Sequence, residues 1–386
     1  WSSDVCSSDL SAEIKSRSIK LPIVNNIEHP QGVGANKFAE LIEQKSGGKI
    51  KVRVYAGGTL GGEQQVASAM QGGTIEASMM APAQLVGNFK DFLVLDFPFA
   101  FANEREADIV LDGPLGRKLL EPMPARGLVG LVYMEQGYRS ITNSKRPIEK
   151  LEDIQGLKIR TILNPLYIDM LNALGANAVP MPFPELYTAL ETGTVDGQEN
   201  PFISVDTNKF YDVQKYASNT RHAYSPLLVL AGKKFWDQLS GDERTILMEA
   251  ANEAKPYQRE VSRKMDAEAA TTLKTHGMTI TDVSPEERAR MRDKLKPVIE
   301  KHEKTINAAL VEEASAAARA MEEQASGLAH TISVFKVEQA QAAVQAVLAA
   351  HKVTPVAKPA ARRVAPARPG PAKPSPAAAE ADWAEF

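Results

Sequence analysis

The stretch from Gly156 to Pro201, GLKIRTILNPLYIDMLNALGANAVPMPFPELYTALETGTVDGQENP, decides how this chain folds. A short alternating segment around Ile159 carries Arg160 to an end marked by Asn164-Pro165. A helix follows, then a turn at Gly175 and a proline-bracketed strand at Ala178–Pro182. A second helix starts at Phe183, and a turn on Asp196-Gly197 delivers Asn200. Helices alternating with short strands bring Arg160 and Asn200 back to neighbouring strand ends. A guanidinium is suited to a carboxylate because its planar fork makes two parallel charge-assisted hydrogen bonds. The stretch is therefore expected to form one wall of a cleft for a small organic anion.

The N-terminal flank repeats the pattern. Ile19–Val24, Lys49–Tyr55 and Ile75–Met80 read as strands, with helices over Val33–Lys45 and from Glu63. That order predicts a parallel sheet with right-handed crossovers. Ligands of such sheets collect at the carboxyl ends of the strands, so the loops after Val24, Tyr55 and Met80 should face the cleft. The first of these holds Asn26 and His29. The second, Gly57–Gly62, lacks a Gly-Lys-Ser/Thr ending, and Glu63 would repel phosphate at the helix start. It reads as a flexible turn before Glu63, which either accepts from ligand hydroxyls or simply favours the helix N-terminus. Leu128–Glu135 reads as a strand, after which Gly137–Asn143, with Arg139, opens a second lobe. Further on, Asn208–Tyr216 reads as partly helical and Leu227–Ala231 as a strand. Ser240 caps a long helix, broken or kinked near Pro256, that runs to about His276. A strand at Met278–Val283 and a helix from Ser284-Pro285 to about Thr305 complete this part.

Composition narrows the function. The chain has 386 residues, 44% hydrophobic and 24% charged, enough for two domains or more. A net charge of -3 gives no basic excess for nucleic acid or an anionic membrane. No apolar run approaches the roughly 18 residues that mark a membrane span. Histidines are few and none has the H-E-x-x-H spacing of a zinc site, and no G-x-S-x-G elbow occurs. An enzyme is not expected, nor a metal or cofactor. The first ten residues, WSSDVCSSDL, include the one cysteine, Cys6, and lack the apolar core of a signal peptide. Residues 1–18 read as a foreign or disordered leader, with the native start and its signal peptide missing.

Ordered motifs then point to a family. They are Phe38-Ala39-Glu40-Leu41 with Ser46-Gly47-Gly48; Leu60-Gly61-Gly62-Glu63; Gly156-Leu157-Lys158-Ile159-Arg160; Met181-Pro182-Phe183-Pro184-Glu185-Leu186-Tyr187-Thr188-Ala189-Leu190; Val195 to Pro201; and Lys209 to Tyr216. With them the span 19–305 resembles the DctP-type solute-binding proteins of tripartite ATP-independent periplasmic (TRAP) transporters. The resemblance implies an α/β, two-lobed periplasmic binding protein with Venus-flytrap closure and a long helix spanning both lobes. Lobe I is expected over 19–137 plus 227–266, and lobe II over 138–226 plus 267–305. Such a protein closes on a dicarboxylate, sugar acid or related carboxylate and delivers it to a membrane permease. By the same resemblance Arg160 pairs with the ligand carboxylate, Arg139 is a second ligand-side arginine and Asn200 is an amide on the same carboxylate. Glu63, Asn26, His29, Phe183, Phe202 and Tyr224 are the further candidates for the cleft. His222 reads as structural.

The composition changes near Asn307. Leu310, Ala314, Ala317, Met321, Gln324 and Leu328 follow heptad-like spacing, and 307–337 resembles the end of a methyl-accepting chemotaxis receptor's signalling helix. Residues 338–381 are rich in Pro, Ala, Lys and Arg and read as a disordered linker. The last five residues, 382–386, resemble the receptor pentapeptide that tethers the adaptation methyltransferase and methylesterase, with Trp383 and Phe386 as docking residues. The two resemblances together imply a chimera. The alternative reading is a chemotaxis sensory protein in which the binding domain is fused to a receptor tail.

Overall fold

The computed structural model describes residues 14–314 and 316. The expected leader with Cys6, most of the receptor-like helix, the linker and the docking residues Trp383 and Phe386 lie outside the described residues.

The elements follow the alternation of apolar runs and breakers. β1 (Arg17–Pro22), α1 (Pro30–Lys45), β2 (Ile50–Tyr55), α2 (Glu63–Gly72) and β3 (Ala77–Met80) come first. Then come α3 (Glu104–Asp112), α4 (Pro114–Leu120) and the long β4 (Leu128–Asn143). The decisive stretch supplies β5 (Lys158–Thr161), α5 (Pro165–Leu174), β6 (Asn177–Pro180), α6 (Leu186–Glu191), β7 (Gly197–Asn200) and, just beyond it, α7 (Phe202–Thr207). A second long strand, β8 (Tyr216–Gly232), precedes α8 (Lys233–Trp236), α9 (Gly241–Thr275), β9 (Thr279–Asp282) and α10 (Pro285–Glu303). Among the described residues β1 and β2 form a parallel pair, and the other strands run in the order β3-β8-β4-β7-β5-β6, with β9 also against β8.

Three expectations change. First, β3 does not extend the β1–β2 ladder but pairs antiparallel with β8. Its neighbour β1 meets it through side chains: Ser78 Oγ donates to the Pro22 carbonyl (2.8 Å), and Glu76 accepts from the Lys20 amide (2.8 Å). Pro22 has no N–H to offer a ladder. Second, the strands expected to end at Glu135 and to begin at Leu227 are the middles of β4 and β8. Gly137 is absorbed at φ 110°, beside a register shift between Glu135 and Gly137, where a bulge takes up what reads locally as a break. Third, α9 runs unbroken through Pro256. Pro256 and Asn252, whose carbonyl the proline leaves without its helical partner, are both exposed, so that carbonyl is open to solvent. Residues 208–216 hold only a short turn of helix at Phe210–Asp212.

Packing follows from the two long strands. One apolar cluster joins Ile19, Phe38, Met79, Val229 and Leu247 around β1–β3 and the start of α9. Another joins Leu186, Phe202, Phe210 and Leu273 around α6, α7 and the end of α9. The largest lies between the 80–120 segment, α5 and α10. The chain after Thr305 stays with this unit: residues 308–314 are helical, Leu310 is buried in the large cluster, and Asn307 N donates to Asp91 Oδ1 (2.9 Å). The change in composition at Asn307 is therefore not the end of the packed structure. Among the described residues no helix is long and apolar enough to cross a membrane.

Candidate ligand-binding cleft

Register places the chemistry. On β5, Arg160 lies opposite Gln198 of β7 and Val179 of β6. Side chains alternate along a strand, so Gln198 and Asn200 share the face of Arg160 while Glu199 points to the other. Arg160 is fully buried. Its Nε and Nη2 both donate to the Met181 carbonyl (2.9 and 2.6 Å), and Nη1 is buried with no hydrogen-bond partner. The guanidinium lies 5.8 Å from the centre of the Phe183 ring. Burial pushes it down to about 10, with Glu199 opposing, so it stays cationic at neutral pH. A buried cation without a direct carboxylate partner is costly, and such a group marks a functional site when it lines a cleft. Asn200 is buried beside it, with Nδ2 donating to Gln198 Oε1 (2.5 Å).

On the opposite face Arg139 of β4 meets Glu199. Arg139 Nε and Nη2 donate to the two carboxylate oxygens, and Nη2 also donates to the Glu199 carbonyl (2.8 Å). Thr161 Oγ1 adds a third bond to the carboxylate (2.8 Å). Burial pushes Glu199 up, but Arg139 and His222 together pull it down to about 2. Arg139, expected as a second ligand arginine, thus has its charge matched inside the protein. Glu199 was not singled out from the sequence, although it stands between two residues of a recognised motif. A carboxylate in a short polar run reads as solvated until the strand pairing shows what it faces. Asp96 is a second such residue: it is buried, accepts from Asn164 Nδ2 (3.3 Å), and burial pushes it up to about 8 against the pull of Arg139.

The loops expected to face the cleft meet α7, Pro184 and Asn164. Asn26 Nδ2 donates to the Thr207 carbonyl (2.7 Å) at the end of α7, and its Oδ1 is buried without a partner. His29 caps α1, accepting the Gln31 amide on Nδ1 (3.0 Å), so its Nε2–H donates to Ser204 Oγ of α7 (3.0 Å). Both ring nitrogens are engaged by the protein, and burial pushes the imidazole down to about 3. In the loop after β2, a Cβ at Gly58 would lie 2.6 Å from Pro184 Cγ, and Gly58 has φ +67°. Only glycine allows this approach. From the third loop Ala81 N donates to Glu63 Oε1 (3.1 Å), and the Ala83 carbonyl accepts from Asn164 Nδ2 (3.1 Å).

Two aromatic candidates sit elsewhere. Phe202 lies in the apolar cluster with Ile203, Val205 and Phe210. Tyr224 of β8 is buried between Phe101 and Tyr138, and its hydroxyl donates to Glu135 Oε2 (3.0 Å). Glu135 in turn is held by Arg263 of α9 (2.7 Å), at the register shift in β4. His222 is fully buried, with Nδ1 bonded to Thr220 Oγ1 (2.8 Å).

The buried titrating groups make stability depend on pH. As pH falls from 6.5 to about 3, the unfolded chain takes up a proton that native His29 refuses. Its contribution therefore falls with falling pH, by about 1.4 kcal/mol per unit. Asp96 acts oppositely: between 3.8 and about 8 the native state keeps a proton that the unfolded chain releases. Its contribution falls as pH rises. Above 6.5 only Asp96 of this pair still acts, so Asp96→Asn should flatten the fall in urea midpoint between pH 6.5 and 8, a difference of about 2 kcal/mol. Equal slopes for both proteins would refute the assignment.

Comparisons with known proteins identify the family and the fold. Residues 23–305 match the family model DctP, bacterial extracellular solute-binding protein, family 7. A TRAP periplasmic solute-binding protein from Ochrobactrum anthropi, solved with its C-terminus bound in its ligand-binding pocket, is 48% identical, with a TM-score of 0.73. The match covers 81% of this chain and 98% of that one. The sugar acid binding protein DctPAm of Advenella mimigardefordensis, in complex with galactonate, is 42% identical over 79% of this chain and 99% of that one, with a TM-score of 0.78. The 2,3-diketo-L-gulonate-binding periplasmic protein YiaO of Escherichia coli is 37% identical over 273 residues, 70% of this chain and 83% of that protein. With its two-lobed α/β fold and the family model in agreement, the chain belongs to the DctP family of TRAP solute-binding proteins.

Proposed function

We propose that this chain captures a small organic acid anion in the periplasm and presents it to a TRAP membrane permease. The observation that carries the reading is the buried Arg160 Nη1, an unpaired donor on a cationic fork. A ligand carboxylate supplies the missing acceptor and the missing counter-charge in one group. Related proteins are described with such ligands: DctPAm with galactonate and YiaO with 2,3-diketo-L-gulonate. Both carry a carboxylate.

Closure supplies the mechanism. Arg160 and Asn200 grip from lobe II, while the Asn26, Gly58 and Glu63 loops come from lobe I. A ligand that touches both sides stabilises the closed state by contacts the open state lacks. The lobe boundaries at Gly137–Tyr138 and Pro226–Leu227 put the crossing of β4 and β8 at the bulge beside Glu135, and α9 bridges the two lobes over it.

A thermal-shift panel tests the reading: galactonate, erythronate, galactarate, tartrate, malate and succinate, with neutral sugars as controls. At one hundred times Kd a ligand adds about 2.7 kcal/mol of stability, a shift of a few degrees. The expected result is a shift with at least one acid and with none of the neutral sugars. A shift with a sugar and none with any acid would sink the proposal.

A further inference from the structure

This inference rests on the organic-acid reading and concerns how the Asn200 amide is aimed. The motif Lys209 to Tyr216 supplies Gln214, a buried side chain in the loop before β8. From it a row of hydrogen bonds runs across β4 and β7. Gln214 Nε2 donates to the Val213 carbonyl (3.0 Å) and the Asp196 carbonyl (3.4 Å), and Gln214 Oε1 accepts from Thr142 Oγ1 of β4 (3.0 Å). Thr142 Oγ1 accepts from Gln198 Nε2 of β7 (2.9 Å), and Gln198 Oε1 accepts from Asn200 Nδ2 (2.5 Å). None of the four side chains belongs to a residue more than 2% exposed.

Only one sense of this row is chemically open. Backbone carbonyls only accept, so the Gln214 amide turns its nitrogen to them and its oxygen to Thr142. The Thr142 hydroxyl gives its one proton to that oxygen and is left to accept from Gln198. Gln198 then shows its oxygen to Asn200, which answers with Nδ2. Running the row backwards would set the Gln214 oxygen against two carbonyl oxygens in a dry interior, where an unmade hydrogen bond is most costly. Register places the far end. Gln198 lies opposite Thr142 on one side and Arg160 on the other, so all three side chains share a face. Asn200, two residues on, shares it as well. Asn200 Nδ2 carries two protons, of which Gln198 takes one. The second suits a carboxylate held by Arg160, because a carboxylate has acceptors only.

We propose that Gln214 is a positioning residue for ligand capture: acting through Thr142 and Gln198, it holds Asn200 with an N–H rather than its oxygen toward the carboxylate on Arg160.

Titration calorimetry on the full chain tests this, using whichever of galactonate, erythronate, galactarate, tartrate, malate and succinate the parent binds most tightly. Thr142→Val keeps the shape and removes the hydroxyl, whereas Thr142→Ser keeps the hydroxyl and loses a methyl group. The relay predicts binding weakened about tenfold in Thr142→Val and within about twofold of the parent in Thr142→Ser. A packing role predicts the reverse order. Once the hydroxyl is gone, Gln214 has nothing to act through. Gln214→Met should therefore weaken the parent about fivefold or more, yet change Thr142→Val by less than about twofold. Parent-like affinity in Thr142→Val, an equal loss in Thr142→Ser, or the same loss from Gln214→Met in both backgrounds overturns the proposal. If Gln214→Met does not fold, the Thr142 pair decides alone. Lost binding in Arg160→Met beside an unmoved Thr142→Val would leave the organic-acid reading standing without the relay. Absence of binding by every acid would remove both.

Discussion

Arg160→Met is expected to abolish measurable capture of organic acids while leaving the empty protein at least as stable as the parent. Arg160 is fully buried, and its Nη1 has no partner. Burial pushes its guanidinium down to about 10, the sign of a cation held against its solvation cost. In the complex the ligand's carboxylate relieves that cost. Without Arg160 the carboxylate enters a dry site with no counter-charge. Truncating one side of a buried charge pair costs on the order of 2–5 kcal/mol in binding, much of it from the charge left behind. In the empty protein the balance reverses, because an apolar side chain of similar volume replaces an uncompensated charge. Calorimetry with the best acid of the panel, alongside thermal unfolding without ligand, reads both effects. Unchanged affinity would remove Arg160 from the site. Lost affinity together with a large fall in unfolding temperature would show that Arg160 supports the fold instead.

Glu199→Gln should be the most destabilising conservative change in the cleft, by about 3–5 kcal/mol. It strips the counter-charge from Arg139 and leaves a buried cation unpaired on that face of the sheet, with Arg160 already uncompensated on the other. The pair is almost wholly desolvated, at 2% and 0% side-chain exposure. Breaking such a pair costs more than replacing it outright. The double change Arg139→Met with Glu199→Gln should therefore recover a good part of the loss. Urea unfolding of the parent, the two single variants and the double variant completes the cycle. Additive effects of the two changes would show that the pair does not act as a unit.

The sequence reached Arg160 by local means, a strand end before Asn164-Pro165 within a recognisable motif. The three loops it expected at the cleft, after Val24, Tyr55 and Met80, meet Ser204, Pro184 and Asn164 respectively. It did not reach Glu199, whose partners lie 60 residues back at Arg139 and 38 residues back at Thr161. It ended one strand at Glu135, before Gly137, and began another at Leu227, after Pro226, although Gly137 and Pro226 both sit within longer strands. A bulge and a continuing ladder overrule a local breaker, and neither can be seen without the partner strand. Phe202 and Tyr224 show the same limit from the other side. An aromatic residue near a motif suits a cleft wall and a core equally well, and packing alone sends both into the interior.

By itself, then, the sequence determined the α/β class, the order of elements and the family, and it singled out Arg160. All of these depend on periodicity, turn chemistry or contiguous motifs, which are local. The tertiary structure decided the charge balance: that Arg139 is neutralised by Glu199 and that Arg160 keeps a free edge. Those facts depend on which strand faces which and on how far water is excluded. Electrostatic energy follows distance and burial rather than separation along the chain.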